Sequence, residues 1–241
     1  MYVSSKKGDS MRRKTLFIII FLVSTLSIYL LNGCGDDDKT ITNPPPSGGP
    51  FTLSGSITNY PGGSVIAKAK ITKFVPPDSF FVGTDTIDND AQLSMALVTP
   101  PADFLVPITV PSGITVSDTT ARIISFPELG AYNFSGGIMA KIRKKNFADT
   151  NVVEGSFIVQ YIFSTKAVTI SGSDTTINFT DTTVTSYNIS LQEGWNALSI
   201  RLTAQRPNFQ MTEYLSGELS GALWRYETSL LFRRFSDVLI D

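Results

Sequence analysis

From Phe51 onward, apolar and polar side chains alternate with a period of two. Val65, Ala67, Ala69 and Ile71 alternate with Ile66, Lys68, Lys70 and Thr72, and Ala91, Leu93, Met95 and Leu97 alternate with Gln92, Ser94 and Ala96. Farther on, Ile138, Ala140 and Ile142 oppose Met139, Lys141 and Arg143, while Leu198, Ile200 and Leu202 oppose Ser199, Arg201 and Thr203. Successive side chains of a strand point to opposite faces, so each run predicts a strand with one apolar and one wetted face. Phe157 to Phe163 is apolar at almost every position and predicts a central strand covered on both sides. Thr and Ser are enriched from Thr165 to Ser190, which favours strands and hairpins over helix.

Turn residues punctuate these runs at Asn59-Tyr60-Pro61-Gly62-Gly63, Asp88-Asn89-Asp90, Ser135-Gly136-Gly137, Ser171-Gly172-Ser173-Asp174 and Gln192-Glu193-Gly194. Many short strands at such spacing predict an all-β chain with one or two antiparallel β-sandwich domains. Pro100, Pro101, Pro107 and Pro111 make the stretch around Thr99 to Gly113 the best internal boundary. One β-domain is therefore expected over 51–113 and a second over 114–226, with Ala102 to Leu105 able to form a single helical turn after Pro101. In the tail, 227–241, Leu231, Phe235, Val238 and Leu239 fit a helical stripe. Just before it, Leu215, Gly217, Leu219, Gly221 and Leu223 alternate like a strand, so periodicity leaves both options open.

The segment Phe51 to Ile71 (FTLSGSITNYPGGSVIAKAKI) resembles the opening of small Ig-like or transthyretin-like modules, related to the regulatory domains of carboxypeptidases. In those, a first strand ending in Gly-x-Ile/Val leads through a Pro-Gly turn into an alternating second strand. The resemblance implies a sandwich and carries no ligand with it.

The beginning of the chain has a different composition. Met11-Arg12-Arg13-Lys14 is a positive cluster, followed by an apolar run from Leu16 to Leu31 and then Gly33 and Cys34. A charged n-region, an apolar h-region and a small-residue site are the parts of a secretory signal, with either Met1 or Met11 as its start. Sixteen residues at about 1.5 Å each cover roughly 24 Å, less than the roughly 30 Å of hydrocarbon that a transmembrane helix spans.

Leu31-Asn32-Gly33-Cys34 resembles the lipobox of bacterial lipoproteins, in which a large aliphatic residue stands three places before an obligatory Cys. That resemblance implies a signal peptide over 1–33, cleavage before Cys34, a diacylglyceryl group on its sulfur and acylation of the new amine. The expected partner is thus a membrane, reached through a lipid anchor on Cys34. Two or three acyl chains hold far more firmly than a single myristoyl group, at about 0.8 kcal/mol per buried methylene. A capped sulfur also suits a chain with a single Cys in an oxidising compartment.

Residues 34–50 then form the lipidated Cys and a spacer. Gly35 to Pro50 is rich in Asp, Pro and Gly and too poor in apolar side chains to fold, which predicts a disordered tether. Asp36-Asp37-Asp38 resembles the acidic export signal that sends some Gram-negative lipoproteins to the outer face of the outer membrane. The three Asp read equally well as charge that keeps the tether hydrated, so the expected location is the envelope of a Gram-negative bacterium, lipid-anchored at the outer membrane, with surface exposure left open.

Charge and composition narrow the chemistry. The whole chain has 20 Lys plus Arg against 21 Asp plus Glu, and removing the signal leaves 15 basic and 20 acidic residues. An acidic product without a basic stripe is not expected to bind nucleic acid. With no His, Ser-His-Asp and Cys-His constellations and His-ligated metals are excluded. No nucleophile elbow, P-loop, dinucleotide fingerprint or cysteine metal spacing occurs, so no catalytic residue, cofactor or metal site is assigned.

Carboxylate chemistry stays open, with Glu154, Glu193, Glu213, Glu218 and Glu227 available to a glycosidase-type pair. Asp88-Asn89-Asp90 reads as an Asx-rich turn, since the EF-hand spacing is missing. Tyr132, Phe134, Trp195, Trp224 and Tyr226 could build a sugar-stacking platform, although Trp195 beside Gly194 reads better as a cap on the core. Asp85-Thr86-Ile87, Asp118-Thr119-Thr120, Asp174-Thr175-Thr176 and Asp181-Thr182-Thr183 resemble short O-glycosylation acceptor sites of some Gram-negative bacteria. The expectation is a non-catalytic structural or binding lipoprotein that contacts a protein or glycan. The competing expectations are a carbohydrate-active surface enzyme using paired carboxylates and an accessory subunit of an outer-membrane assembly or uptake system.

Overall fold

A computed structural model describes residues 41–42, 51–74, 76–148 and 152–228. Among the described residues the chain is all-β, with a three-residue 3-10 turn and no α-helix. In chain order the strands are β1 (Ile41–Thr42), β2 (Thr52–Thr58), β3 (Val65–Phe74), β4 (Pro77–Ile87) and β5 (Gln92–Ala96). After the 3-10 turn at Ala102–Phe104 come β6 (Val106–Pro107), β7 (Ile114–Val116), β8 (Arg122–Phe126), β9 (Leu129–Tyr132) and β10 (Ile138–Lys145). The remaining strands are β11 (Phe157–Ser164), β12 (Val168–Asn178), β13 (Asp181–Leu191), β14 (Gly194–Arg206), β15 (Phe209–Ser216), β16 (Glu218–Leu219) and β17 (Leu223–Thr228).

Two curved layers share β10. The first runs β5-β2-β17-β10-β9-β3-β4, and its ends meet where Val98 N donates to the Val82 carbonyl at 2.8 Å and Ser94 N to Asp85 Oδ2 at 2.7 Å. The second runs β6-β8-β11-β14-β15-β13-β12-β7. They join where β11 takes over from β9 along one edge of β10, with Lys144 opposite Val159 and Lys145 opposite Ile158. The first layer draws strands from both sides of the proline-rich segment 99–113. Two pairs, β2 with β17 and β13 with β15, are parallel in an otherwise antiparallel ladder.

The alternation in β3 and β5 does what its period predicts. Val65, Ala67, Ala69, Ile71, Leu93 and Met95 are all buried, while Lys70, Gln92 and Ser94 face water. In β10, Ala140 and Ile142 are buried but Ile138 is exposed, because a register shift between Ile138 and Ala140 breaks the alternation. β14 departs from expectation: Ser199 is as buried as its neighbours Leu198 and Ile200. Its Oγ donates to the Gly217 carbonyl at 2.8 Å and accepts from Leu219 N at 3.1 Å, so a polar residue sits on a covered face with its hydrogen bonds satisfied.

β11 is buried on both faces, as its unbroken apolar run predicts. Phe157, Val159, Tyr161 and Phe163 join the main core beneath the first layer. Ile162, with Ile158 packed against it, joins Leu198, Ile200, Val168, Ile170 and Leu191 in a second core on the other side. At the centre Tyr161 stacks on Phe126 at 5.5 Å and on Trp224 at 5.9 Å, and meets Phe51 edge-on at 6.0 Å. Its hydroxyl donates to Glu218 Oε1 at 2.9 Å.

Removing that ring leaves a cavity shared by three aromatic neighbours. Tyr161→Ala should cost about 3–5 kcal/mol in urea unfolding, against less than about 0.5 kcal/mol for Thr175→Ala on the exposed part of β12. Equal losses in the two variants would contradict this packing.

Candidate functional site

The longest excursion from the core is built by β12 and β13, which pair without interruption from Val168 opposite Leu191 to Asn178 opposite Asp181. Its root and Thr185 are covered. Val168, Ile170, Ile189 and Leu191 are buried, Tyr187 stacks on Tyr214 at 5.2 Å, and beyond them β12 is lined by Ser and Thr. β15 and β14 accompany the hairpin outward, β15 parallel to β13 from Thr182 opposite Phe209 and β14 antiparallel to β15 as far as Arg206. The result is a four-stranded extension.

Register decides what its faces carry, since directly paired residues project to the same side. Ile177, Thr182, Phe209 and Arg206 form one row across the four strands, and Thr175, Val184, Met211 and Ala204 form the next row on the same face. Ile177, Phe209, Val184 and Met211 thereby make a contiguous apolar stripe that no other layer buries, with Ile177 71% exposed and the other three half-buried. The two-residue turn adds Phe179, which is 98% exposed at φ 53°. That left-handed conformation costs a bulky L-residue about 1–2 kcal/mol and normally selects Gly or Asn. The ring is thus held there against both solvation and backbone preference. On the outer edge of β12, β7 pairs only with Ile170, Ser171 and Gly172, so Ser173 to Asn178 have no ladder partner on that side among the described residues.

The opposite end of β15 has another character. There β16 pairs with β1, placing Ile41 opposite Leu219 and Thr42 opposite Glu218. Thus two β-branched residues of the predicted spacer form a short antiparallel pair. Glu218 accepts from Lys144 Nζ at 2.5 Å and from the Tyr161 hydroxyl, tying β16 to the core. About eight residues of β15, roughly 25 Å, separate this end from the tip of the extension.

The residues singled out from the sequence are scattered. Cys34 lies outside the described residues, as do the signal and most of the spacer. Glu213 pairs with Arg201 at 2.5 Å, Glu218 with Lys144, and Glu227 with Arg143 at 3.5 Å and with Lys145, so three of the five candidate carboxylates are taken up by cations. Lys141, Arg143, Lys144 and Lys145 form a run of cations of the kind usually left to solvent. Instead Lys141 and Arg143 bind Glu128 at 2.5 Å, and Lys145 is buried against Glu227 and the Phe147 ring.

The five aromatics do not share a platform. Trp195 caps the core with its Nε1 donating to the Val98 carbonyl at 2.9 Å, and Trp224 is buried with Nε1 donating to Ser54 at 3.1 Å. Tyr226 is buried edge-on against Tyr60, and only Tyr132 and Phe134 reach the surface. Asp88-Asn89-Asp90 is an interlocked turn in which Asn89 Oδ1 accepts from Gly63 N at 2.7 Å and Asp88 accepts from Ser64 Oγ at 2.5 Å. Of the four Asp-Thr tripeptides, Asp174-Thr175-Thr176 and Asp181-Thr182-Thr183 flank the hairpin tip. Among the described residues no cluster of His, Cys, Asp and Glu could hold a metal, and no helix is long and apolar enough to cross a membrane.

The apolar stripe has no counterpart in the sequence reading. It brings together residues 177, 184, 209 and 211 through a parallel pairing of β13 with β15, and each lies singly among Thr and Gln. Comparison with known proteins returns no match to this chain among family models, curated proteins or solved structures.

Replacing Phe179 by Gly should raise stability by about 1 kcal/mol in spite of the lost side chain, because it releases the left-handed strain and exposes nothing. A drop in the unfolding midpoint would contradict that. The root of the extension gives a pH signature. Burial, then the charge of Tyr187, raises the Tyr214 phenol above its ordinary value of 10. Above about pH 10 the unfolded chain therefore gives up a proton that the folded chain keeps, so stability falls with rising pH, and Tyr214→Phe should flatten that alkaline slope in urea unfolding.

Proposed function

We propose that this chain is a lipid-anchored protein of the Gram-negative cell envelope with a non-catalytic binding role, presenting the apolar face of its four-stranded extension to a protein partner. The observation that carries this reading is the opposition of two ends. Ile41–Thr42, seven positions after Cys34, pairs at one end of β15, while Ile177, Phe179 and Phe209 lie at the other. Seven residues fully extended reach at most about 25 Å, so an acylated Cys34 keeps the β16 end close to a bilayer and directs the extension away from it.

Several features support the parts of the reading. The lipobox-like Leu31-Asn32-Gly33-Cys34 and the charged, then apolar, segment before it support the anchor. The acidic run Asp36-Asp37-Asp38 supports the outer-membrane location, with the cell surface as the exposed side. An apolar stripe with an unpaired strand edge beside it suits docking of an extended polypeptide, in which ladder bonds give affinity and the stripe gives side-chain contacts. Among envelope roles, these two features favour an accessory subunit of an assembly or uptake complex over a freely standing domain. The engagement of Glu213, Glu218 and Glu227 with Arg and Lys gives no support to paired-carboxylate catalysis.

Cys34→Ser tests the anchor. It should move the protein from the membrane fraction to the soluble periplasmic fraction and remove the acyl mass from the N-terminal peptide. Unchanged mass and fractionation would remove the membrane placement and the role built on it. Ile177→Asp combined with Phe179→Asp tests the contact face, and should leave folding and fractionation intact while abolishing cross-linking of the protein to its envelope neighbour.

A further inference from the structure

The outer face of the first layer gathers cations from three strands that lie far apart in the sequence. Trp224 and Tyr226 of β17 are buried on the inner side, so Arg225 and Glu227 project outward. Ala140 and Ile142 of β10 are buried in the same way and turn Lys141 and Arg143 to the outer face, while Ala67, Ala69 and Ile71 of β3 turn out Lys68 and Lys70. Register then aligns them. Lys68, Gly130, Lys141 and Glu227 form one row across β3, β9, β10 and β17. Two positions along, Arg143 stands directly opposite Arg225, with Thr58 of β2 on the far side of Arg225.

The carboxylates of this face do not balance it. Glu128 takes Lys141 and Arg143, each at 2.5 Å, and Glu227 takes Lys145 and, at 3.5 Å, Arg143. Lys68 lies between the Phe81 and Tyr132 rings, 4.9 and 5.0 Å from their centroids, and Lys70 is exposed to water. Arg225 has no such relief. It is half-buried, makes no ion pair among the described residues, and its Nε is shut off from water without a hydrogen-bond partner. Like charges directly opposite on neighbouring strands repel, their Cβ atoms being about 4.5–5.5 Å apart, and a charged donor withdrawn from water without an acceptor is left uncompensated.

We propose that the Arg143–Arg225 pair is the centre of a binding site for a phosphate group. A tetrahedral oxyanion between two guanidinium forks accepts from both and turns their repulsion into attraction. A phosphate monoester carries a charge of about −1.5 to −2 at neutral pH, which suits a face where the cations outnumber the carboxylates. Arg225 is the principal donor, and Arg143, already shared by two carboxylates, supplies the second charge. Lys68 and Lys70 widen the field that draws the anion in. A free phosphate ester and a phosphomonoester lipid headgroup present the same oxygens to this pair. The inference rests on the register of β10 and β17 and is independent of the lipid anchor and of the partner proposed for the extension.

Inorganic phosphate and the full-length protein test the site. In about 10 mM phosphate the thermal midpoint should rise by about 3–5 °C over chloride of equal ionic strength, the shift that a Kd of about 1 mM gives a domain of this size. Arg225→Gln should abolish the rise, while Lys166→Gln on the second layer should keep it. Arg225→Lys keeps the charge but loses the fork, so it should retain less than half of the rise, and it serves as the test if the Gln variant does not fold. No rise above chloride in the parent protein, or an equal rise in the Arg225 variants, would leave an adventitious ion only and overturn the inference. Vesicles identify the source. Co-sedimentation of the Cys34→Ser chain with phosphatidylcholine vesicles that contain phosphatidic acid, lost on Arg225→Gln and absent with phosphatidylcholine alone, would assign the phosphate to a lipid headgroup. An Arg225-dependent midpoint shift without co-sedimentation would assign it to a soluble phosphate ester.

Discussion

The whole architecture depends on burying both faces of β11. A strand with Phe157, Val159, Tyr161 and Phe163 on one side and Ile158 and Ile162 on the other cannot sit at a sheet edge or face water. It needs ladder partners along both edges and a layer over each face. β14 fills one edge for its whole length, and the other is shared between β10 and β8. The face that carries Tyr161 packs beneath the first layer and the face that carries Ile162 packs against β12 and its neighbours, so one strand makes two cores depend on each other. Each large side chain buried this way contributes about 1.5–3 kcal/mol, set against about 1–2 kcal/mol per residue of lost backbone freedom, which is why a strand covered on only one face would contribute far less.

Burying a tyrosine and several cations imposes its own constraints. The Tyr161 hydroxyl cannot be left without a partner in the interior, and it finds Glu218, which in turn holds Lys144. Burial, reinforced by that carboxylate, pushes the phenol well above its ordinary range, so it remains a donor under any physiological condition. On the outer face of β10 and β17, Lys141, Arg143 and Lys145 alternate with the carboxylates of Glu128 and Glu227. Such pairs add little net stability but penalise alternatives strongly. Sliding β17 by one residue against β10 would turn Glu227 toward the apolar core and leave Lys145 buried without its counter-charge.

Sequence alone carried much of the fold and little of the site. Where one strand meets one core, as in β3 or β5, the period of two is sufficient, and it places Val65, Ala67, Leu93 and Met95 correctly on the buried side. The same reasoning identifies β11, because an unbroken apolar run has no polar face to expose. It fails at Ser199, where a hydroxyl meets its hydrogen-bonding needs inside the core, and at Lys145, which is buried by a carboxylate 82 positions away. In both cases the deciding partner is distant in sequence, so local polarity misreports burial. The parallel pairing of β13 with β15 defeats local reading for the same reason, since the order of strands across a sheet leaves no trace in their spacing. Ile177 and Phe209 each look like isolated apolar residues until the ladder sets them in one row on the same face.

Exposed apolar surface is concentrated at two places among the described residues, and the local backbone sets what surrounds each. In the extension, β12 ends in a closed turn at Phe179 and β14 turns into β15 at Arg206. There the strain at Phe179 keeps an apolar ring where a glycine would sit at lower cost. At the Phe134 end, by contrast, β17 pairs with β10 only as far as Thr228 opposite Ala140, and Ile138 and Met139 are exposed beside a register shift. Equal hydrophobicity thus has two local causes, a left-handed turn residue in one place and a bulged strand end in the other.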